Sequence, residues 1–233
     1  MKIRISSYLI LLGALVSLIM GCNKKDNLPD PVKDIEGNTY KTVRIGDQVW
    51  MAENLRTSTF SDGTEIPIVD DAGNWNELTS PGLCWYNNDE AANKDTYGAL
   101  YNYYTVASGT LCPNGWHVPS RDEWQKLRDV LGDTLTGGGK LKEEGTSHWK
   151  TPNTGAVNSH GFSALPGGIR YLEGTFNSAS FFTAFWSSTE SDNDKAWYLS
   201  LYYSDSIAGM NRISKRDGFS VRCLKDLESL YPD

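Results

Sequence analysis

The chain has 233 residues, with 22 basic and 29 acidic side chains and a formal net charge of −7. A chain of this length can bury one well-formed core, and no long linker divides the sequence. An acidic protein of this kind has no general attraction for nucleic acid or anionic lipid, so we do not expect a nucleic-acid partner.

The first 21 residues have the pattern of a bacterial secretion signal. Lys2 and Arg4 give a positively charged start, and the apolar run over residues 8–20 is too short to span a membrane as a mature helix. The run ends in LIMGC (18–22), which resembles the lipobox of a bacterial lipoprotein. We therefore expect residues 1–21 to be removed and Cys22 to carry the lipid that holds the protein to a membrane. The alternative is an ordinary secretion signal with a chance cysteine.

The mature chain is predicted to form one domain behind a short tether. Residues 22–33 are polar and contain proline, so we expect a flexible tether, followed by a domain over 34–226 and a tail over 227–233. Loss of Lys2 and Arg4 with the signal leaves a net charge of −9.

The predicted domain begins with a β-hairpin. Residues 39–55, TYKTVRIGDQVWMAENL, read as two short strands joined at Gly46–Asp47, because glycine tolerates the positive φ of a tight turn. Residues 57–82 are rich in turn formers and are expected to form a loop.

Two helices are predicted in the middle of the chain. Tyr97, Leu100, Tyr101 and Tyr104 have helical spacing, with a cap at residues 95–96 and a stop at Gly109. In the second helix, Trp124, Leu127 and Leu131 recur on one face and Gly132 ends the run. Residues 136–160 are rich in Gly, Thr, Asn and Lys and are expected to have little regular structure.

The C-terminal third is strand-like. The segments GFSAL (161–165), TAFWSS (183–188), AWYLSLYY (196–203) and GFSVRCLK (218–225) are predicted strands. In the last of these, Phe219, Val221 and Cys223 share one face and Arg222 points the other way. Helices in the middle and strands at both ends indicate an α+β fold.

Three cysteines remain after Cys22, so at most one intramolecular disulfide forms and one thiol is left. Cys112 can pair with Cys223 or with Cys84. We favour Cys112–Cys223, because it ties the second helix region to the terminal strand. Neither these cysteines nor the three scattered histidines have metal-ligand spacing, and we expect no metal site and no cofactor.

The stretch CPNGWHVPSRDEW (112–124) concentrates reactive side chains. Ser120 and Glu123 have the spacing of a capping box, which accounts for them at the start of the second helix. A nucleophile and base pair of Cys112 and His117 is the alternative. We interpret the stretch as a structural corner and expect no catalytic residues.

Six motifs in order carry a resemblance to a known family. The chain resembles the Fibrobacter succinogenes major paralogous domain, found in lipoproteins and secreted proteins of Bacteroidetes-like bacteria, over residues 34–226. The motifs are CWYNND (84–89), YGALYNYYTVA (97–107), LCPNGWHVPSRDEWQKL (111–127), GFSALPGG (161–168), FWSSTE (185–190) and GFSVRCLKD (218–226).

That family is similar to the C-type lectin-like fold, in the branch of the formylglycine-generating enzymes. The resemblance implies two helices packed on a small, mostly antiparallel sheet with long loops, in which the N- and C-terminal strands pair. The late cysteine pair of those enzymes is missing here, and so are the E-P-N and Q-P-D motifs of calcium-dependent lectins. Residues 87–90 could form a different calcium site, although a solvated turn explains them as well.

We therefore expect a lipid-anchored protein of the outer membrane, on the cell surface, that binds a glycan or a protein partner without catalysis. Exposed aromatic rings would form the ligand site. The candidates are Trp75, Tyr86, Trp149 and Tyr171. Each tryptophan could instead fill a gap in the hydrophobic core or anchor its loop. A structural envelope role and an enzyme related to the formylglycine-generating proteins are the alternatives.

Overall fold

The computed structural model describes residues 29–227. The signal segment, Cys22, most of the tether and the tail from residue 228 lie outside the described residues. The strands are β1 (Val32–Lys33), β2 (Thr39–Tyr40), β3 (Thr42–Ile45), β4 (Gln48–Met51), β5 (Leu83–Cys84), β6 (Leu100–Tyr101), β7 (Trp116–His117), β8 (Ile169–Arg170), β9 (Phe176–Asn177), β10 (Phe182–Glu190), β11 (Lys195–Tyr202), β12 (Gly209–Ser214) and β13 (Leu224–Lys225). The helices are α1 (Ala72–Glu77), α2 (Glu90–Tyr97), α3 (Tyr103–Val106), α4 (Arg121–Leu131) and α5 (Thr134–Gly137), with 3₁₀ helices at Tyr86–Asn88 and Gly138–Lys140.

Ordered structure begins before Asp34. The segment Val32–Lys33, predicted as part of the tether, pairs antiparallel with Thr39–Tyr40 as β1 and β2. The Asp34 carboxylate stabilises the connection by accepting a hydrogen bond of 2.6 Å from the Tyr40 hydroxyl and two from backbone N–H groups of the turn. The predicted tether is therefore too long at its C-terminal end.

The predicted hairpin is confirmed as β3 and β4. Val43 lies opposite Trp50 in its register, and Gly46 in the turn has a φ of +60°, in the left-handed region that favours glycine. β4 also pairs with β13, where Trp50 lies opposite Leu224, and β13 pairs with β7. The N- and C-terminal strands thus share one four-stranded sheet in the order β3-β4-β13-β7.

A second sheet, in the order β10-β11-β12, separates two apolar clusters. Alternate residues of its long strands point to opposite sides. Phe182, Ala184 and Trp186 join the first cluster, whereas Phe185 and Leu199 join the second. The two predicted strands that correspond to β10 and β11 are confirmed.

One predicted strand is wrong and another is confirmed only at its end. GFSAL (161–165) contributes one isolated bridge at Ala164, and 218–223 forms isolated bridges with several partners before β13 begins. The backbone of 218–223 bonds in turn to Tyr101, Trp186, Leu55 and Met51, so it runs between sheets and joins no single ladder. Its alternation is nevertheless as predicted, because Phe219, Val221 and Cys223 all lie in the first cluster.

One predicted helix is confirmed and the other is wrong. α4 has its capping box at Ser120 and Glu123, buries its apolar face and ends at Gly132. The segment 97–107 instead divides into the end of α2, β6 and the four-residue α3. Gly98 breaks it, because its φ is +72° and a Cβ atom there would lie 2.6 Å from the carbonyl oxygen of Leu55.

The described fold is α+β, and every pairing between the strands named above is antiparallel. Residues 136–160 have little regular structure beyond the end of α5 and one 3₁₀ turn, as predicted. Lys142 anchors this region: its ammonium group donates to the backbone carbonyls of Thr154, Tyr202 and Asp205 at 2.7–2.9 Å.

Candidate functional site

Trp75 is buried, so its prediction as an exposed ligand-binding ring is wrong. Its exposed fraction is 0%, and it lies in a small apolar cluster with Cys84 and Leu100. The Arg170 guanidinium lies over the ring, 4.4 Å from its centroid. The polar sequence around Trp75 belongs to the outer side of α1, which hides the ring from solvent.

Trp149 is also buried, and its prediction as a ligand-binding ring is likewise wrong. The side chain is 1% exposed and belongs to the second apolar cluster. Its indole N–H donates to the carbonyl oxygen of Ala164 at 2.9 Å, and the Lys142 ammonium lies 5.5 Å from the ring centroid. Trp149 therefore fastens its long loop to the core.

Tyr86 is partly buried and packs edge-on against Phe176, with 5.4 Å between the ring centroids. Gly168 approaches the Tyr86 ring so closely that a Cβ atom there would lie 2.6 Å from it. These contacts leave Tyr86 as part of the packing around β9, apart from the aromatic group described next.

Tyr171 lies directly after β8, next to two tyrosines of β11. Tyr171 and Tyr198 are partly buried against the first cluster, and Tyr202 is 44% exposed. Tyr202 packs on Phe182, and Tyr198 packs on Phe219, each with 4.7 Å between ring centroids. We call Tyr171, Tyr198 and Tyr202 the tyrosine face.

The phenol groups of Tyr198 and Tyr202 stay protonated at neutral pH. Burial raises the pKa of Tyr198 to about 12, with additions from Tyr202, Asp217 and Tyr171. Burial also raises the pKa of Tyr202, with additions from Tyr171 and Asp205. Tyr171 contributes to both shifts and Tyr202 contributes to that of Tyr198, so the three phenol groups lie near one another. A protonated phenol can both donate and accept a hydrogen bond.

These hydroxyls make no hydrogen bond within residues 29–227, although other hydroxyls, such as those of Tyr40 and Tyr103, do. The exposed Asn211 lies opposite Tyr198 in the β11–β12 register, so both side chains project from the same side of the sheet. Its amide donates to the Ser200 hydroxyl at 3.1 Å. Flat rings, hydroxyls and an amide are thus gathered on one surface.

Tyr198 and Tyr202 were not predicted as site residues. The two-residue period of a strand puts Leu199 and Leu201 on one side of β11 and Tyr198, Ser200 and Tyr202 on the other. That alternation was the available signal. Their proximity to Tyr171 could not be read from the sequence, because β8 and β11 are 25 or more positions apart.

The stretch 112–124 is a structural corner, as predicted. His117 joins β7 to α4 and the C-terminal segment: its Nδ1 lies 2.5 Å from an Asp226 carboxylate oxygen and its Nε2 lies 3.0 Å from one of Glu123. The hydrogen bond with Glu123 is the largest of the contacts that raise the His117 pKa, and Asp226 adds to it. Both carboxylates therefore favour the charged imidazolium.

Cys112 and Cys223 form a disulfide that connects this corner to the C-terminal segment. The remaining described cysteine, Cys84, is free and buried, and burial raises its pKa to about 12. The thiol needed for a Cys112–His117 catalytic pair is therefore held in the disulfide.

Residues 87–90, considered above as an alternative calcium site, have structural roles instead. Asn87 and Asn88 adopt positive φ in the turn, Asp89 caps α2 and Glu90 pairs with Lys94 at 2.7 Å. Within residues 29–227, no three His, Cys, Asp or Glu side chains are grouped as metal ligands. Among the helices of that range, none combines the length and apolar composition needed to cross a membrane.

The fold and the surface together define an α+β domain with a solvent-facing group of aromatic and hydroxyl side chains. The model of the Fibrobacter succinogenes major domain matches residues 43–225, most of the chain, and the protein belongs to this family. No curated protein and no solved structure matches the chain.

Proposed function

We propose that the protein is a lipid-anchored outer-membrane protein that faces the cell surface and binds a glycan without catalysis. The proposed anchor is Cys22, on the strength of the LIMGC motif. The domain would have a C-type lectin-like arrangement, which pairing of β4 with β13 supports. The tyrosine face would be the glycan site.

One observation carries the proposal: three partly exposed tyrosines lie together and their hydroxyls make no hydrogen bond within residues 29–227. An aromatic ring offers an apolar surface to the C–H face of a sugar, and its hydroxyl can bond to the sugar's own hydroxyls. The side-chain amide of Asn211 can form hydrogen bonds with sugar hydroxyls and so select a glycan by the orientation of those hydroxyls.

The Cys112–Cys223 disulfide supports a binding role over the enzyme alternative, because it occupies the thiol on which that alternative depended. A protein partner could use the same exposed rings, since tyrosine is favoured at protein interfaces. A structural envelope role would leave the tyrosine hydroxyls without a ligand.

A glycan array probed with the lipidated mature protein in detergent, with and without EDTA, tests the proposal. We expect binding that survives EDTA and that the Tyr202→Ala substitution lowers at least tenfold. Tyr203→Ala is the matched control, because Tyr203 adjoins β11 but packs toward the second cluster. Binding that both substitutions lower equally, or no binding on the array, would contradict the proposal.

A further inference from the structure

A cleft of about 580 Å³ opens beside the N-terminal hairpin, away from the tyrosine face. This volume is within the range of small-ligand sites, roughly 300–1,000 Å³. None of its lining residues belongs to the tyrosine face. Charged side chains of both signs line it: Asp30, Lys41, Glu53, Arg56, Asp95, Glu143 and Arg222.

Arg222 is a buried positive charge in the wall of the cleft. It is 1% exposed, and its guanidinium packs against the rings of both Phe162 and Phe185, 4.3 Å and 5.2 Å from their centroids. Its Nε donates to the Asn54 side chain and its Nη2 to the Ser163 carbonyl, both at 2.9 Å, while Nη1 donates to the Phe162 carbonyl.

These three bonds leave two of the five guanidinium N–H groups available. No carboxylate within residues 29–227 forms an ion pair with Arg222. Burial lowers the Arg222 pKa to about 9, and the Coulomb effect of Glu53 opposes that lowering. A buried charge is normally compensated by a partner of opposite sign, and here neutral oxygens alone provide that compensation.

Carboxylates on the cleft wall provide the opposite charge. Glu143 is engaged by His148 at 2.9 Å. Glu53 accepts a hydrogen bond from the backbone N–H of Lys41, and Asp95 lies exposed near the end of α2. Neither Glu53 nor Asp95 forms an ion pair with any of the described residues. They are therefore available to an incoming cation.

We infer that the cleft binds a short peptide with free ends, whose carboxylate contacts Arg222 and whose ammonium group contacts Glu53 and Asp95. A guanidinium binds a carboxylate with paired N–H groups, and a dry wall strengthens that bond relative to water. The carboxylate and the ammonium group of one peptide would thus pair with Arg222 and with the Glu53 and Asp95 carboxylates, respectively. This site is independent of the proposed glycan site, since it shares none of its residues.

Trialanine, which has uncharged side chains, tests the inference in titrations of the lipidated mature protein by calorimetry. We expect trialanine to bind, trialanine amide to bind at least tenfold more weakly and N-acetyl-trialanine to bind at least fivefold more weakly. Because these comparisons change the ligand, they do not depend on a variant that folds.

Variants locate the contacts. Glu53→Gln with Asp95→Asn should remove the difference between trialanine and its N-acetyl form, and Arg222→Lys should reduce the difference between trialanine and its amide. Tyr202→Ala should leave trialanine binding unchanged, which separates this inference from the glycan proposal. No binding of trialanine, or equal binding of trialanine and its amide, would overturn the inference.

Discussion

Asp217 is a buried carboxyl group whose replacement should change how stability depends on pH. The side chain is 1% exposed, and its Oδ1 accepts a hydrogen bond from the backbone N–H of Leu172 at 2.9 Å. Its Oδ2 is buried without a hydrogen-bond partner among the described residues. Burial raises the Asp217 pKa from 3.8 to about 7, with an addition from Glu173.

The raised pKa of Asp217 makes the folded protein less stable as pH rises. An acid with a higher pKa in the folded state binds more protons there than in the unfolded state, so stability falls as pH rises from about 4 to about 7. With pKa values of 3.8 unfolded and about 7 folded, the shift lowers the free energy of unfolding, relative to acidic pH, by about 1.7 kcal/mol at pH 5 and about 4.3 kcal/mol at pH 8. The Asp217→Asn variant lacks this cost and keeps an oxygen for Leu172.

Urea unfolding at pH 5, 6, 7 and 8, with the disulfide intact, measures the effect. The free energy of unfolding of Asp217→Asn, relative to the wild type, should rise by about 2.5 kcal/mol from pH 5 to pH 8. Glu144→Gln, at an exposed carboxylate, should show no such change. A difference between Asp217→Asn and wild type that is the same at all four pH values would refute the assignment of a raised pKa to Asp217.

Three further predictions concern packing and the corner at residues 112–124. Replacing Cys112 and Cys223 together by alanine should lower the free energy of unfolding by up to about 5 kcal/mol, since the disulfide closes a loop with a sequence separation of 111; a loss below about 1 kcal/mol in urea would contradict this. His117→Gln should destabilise by no more than about 1 kcal/mol, because the ring is partly solvated. The loss of stability should be present below about pH 6.5, where the wild-type ring is charged, and should disappear as pH rises through the raised His117 pKa. The loss also requires an ionised Glu123, whose pKa is lowered to about 2. A loss equal at pH 5.5 and pH 9 would exclude this charge effect. Gly138→Ala should cost about 1–3 kcal/mol in thermal or urea unfolding, because its Cβ would lie 2.5 Å from the Ile207 carbonyl, whereas unchanged stability would show that this contact relaxes freely.

Local patterns predicted the parts of the fold that depend on neighbouring residues. The Gly46 turn and the capping box of Ser120 and Glu123 each need only a few adjacent positions, and both are present. The helix predicted over 97–107 failed because Gly98 packs against Leu55, a contact between distant segments. Spacing could indicate the helix but not that packing requirement.

The burial of the candidate aromatic side chains could be predicted only in part. Trp75 and Trp149 looked exposed because their sequence neighbours are polar, yet each ring is buried in an apolar cluster with a cation packed on it, Arg170 on Trp75 and Lys142 on Trp149. Tyr171 was predicted, but its partners Tyr198 and Tyr202 come from a strand paired elsewhere in the fold. Arg222 was predicted to point away from Phe219, Val221 and Cys223, and it does. Its burial against the rings of Phe162 and Phe185 could not be predicted, because those rings come from distant segments.

An NMR titration most directly tests the central claim that the tyrosine face binds a glycan. The mature protein, with ring-labelled tyrosine, would be titrated with the glycan that binds it best on the array. We predict that the ring signals of Tyr171, Tyr198 and Tyr202 shift together, while those of the buried Tyr40 and Tyr101 stay in place. Shifts confined to other tyrosines, or saturation with no shift at the tyrosine face, would contradict the claim.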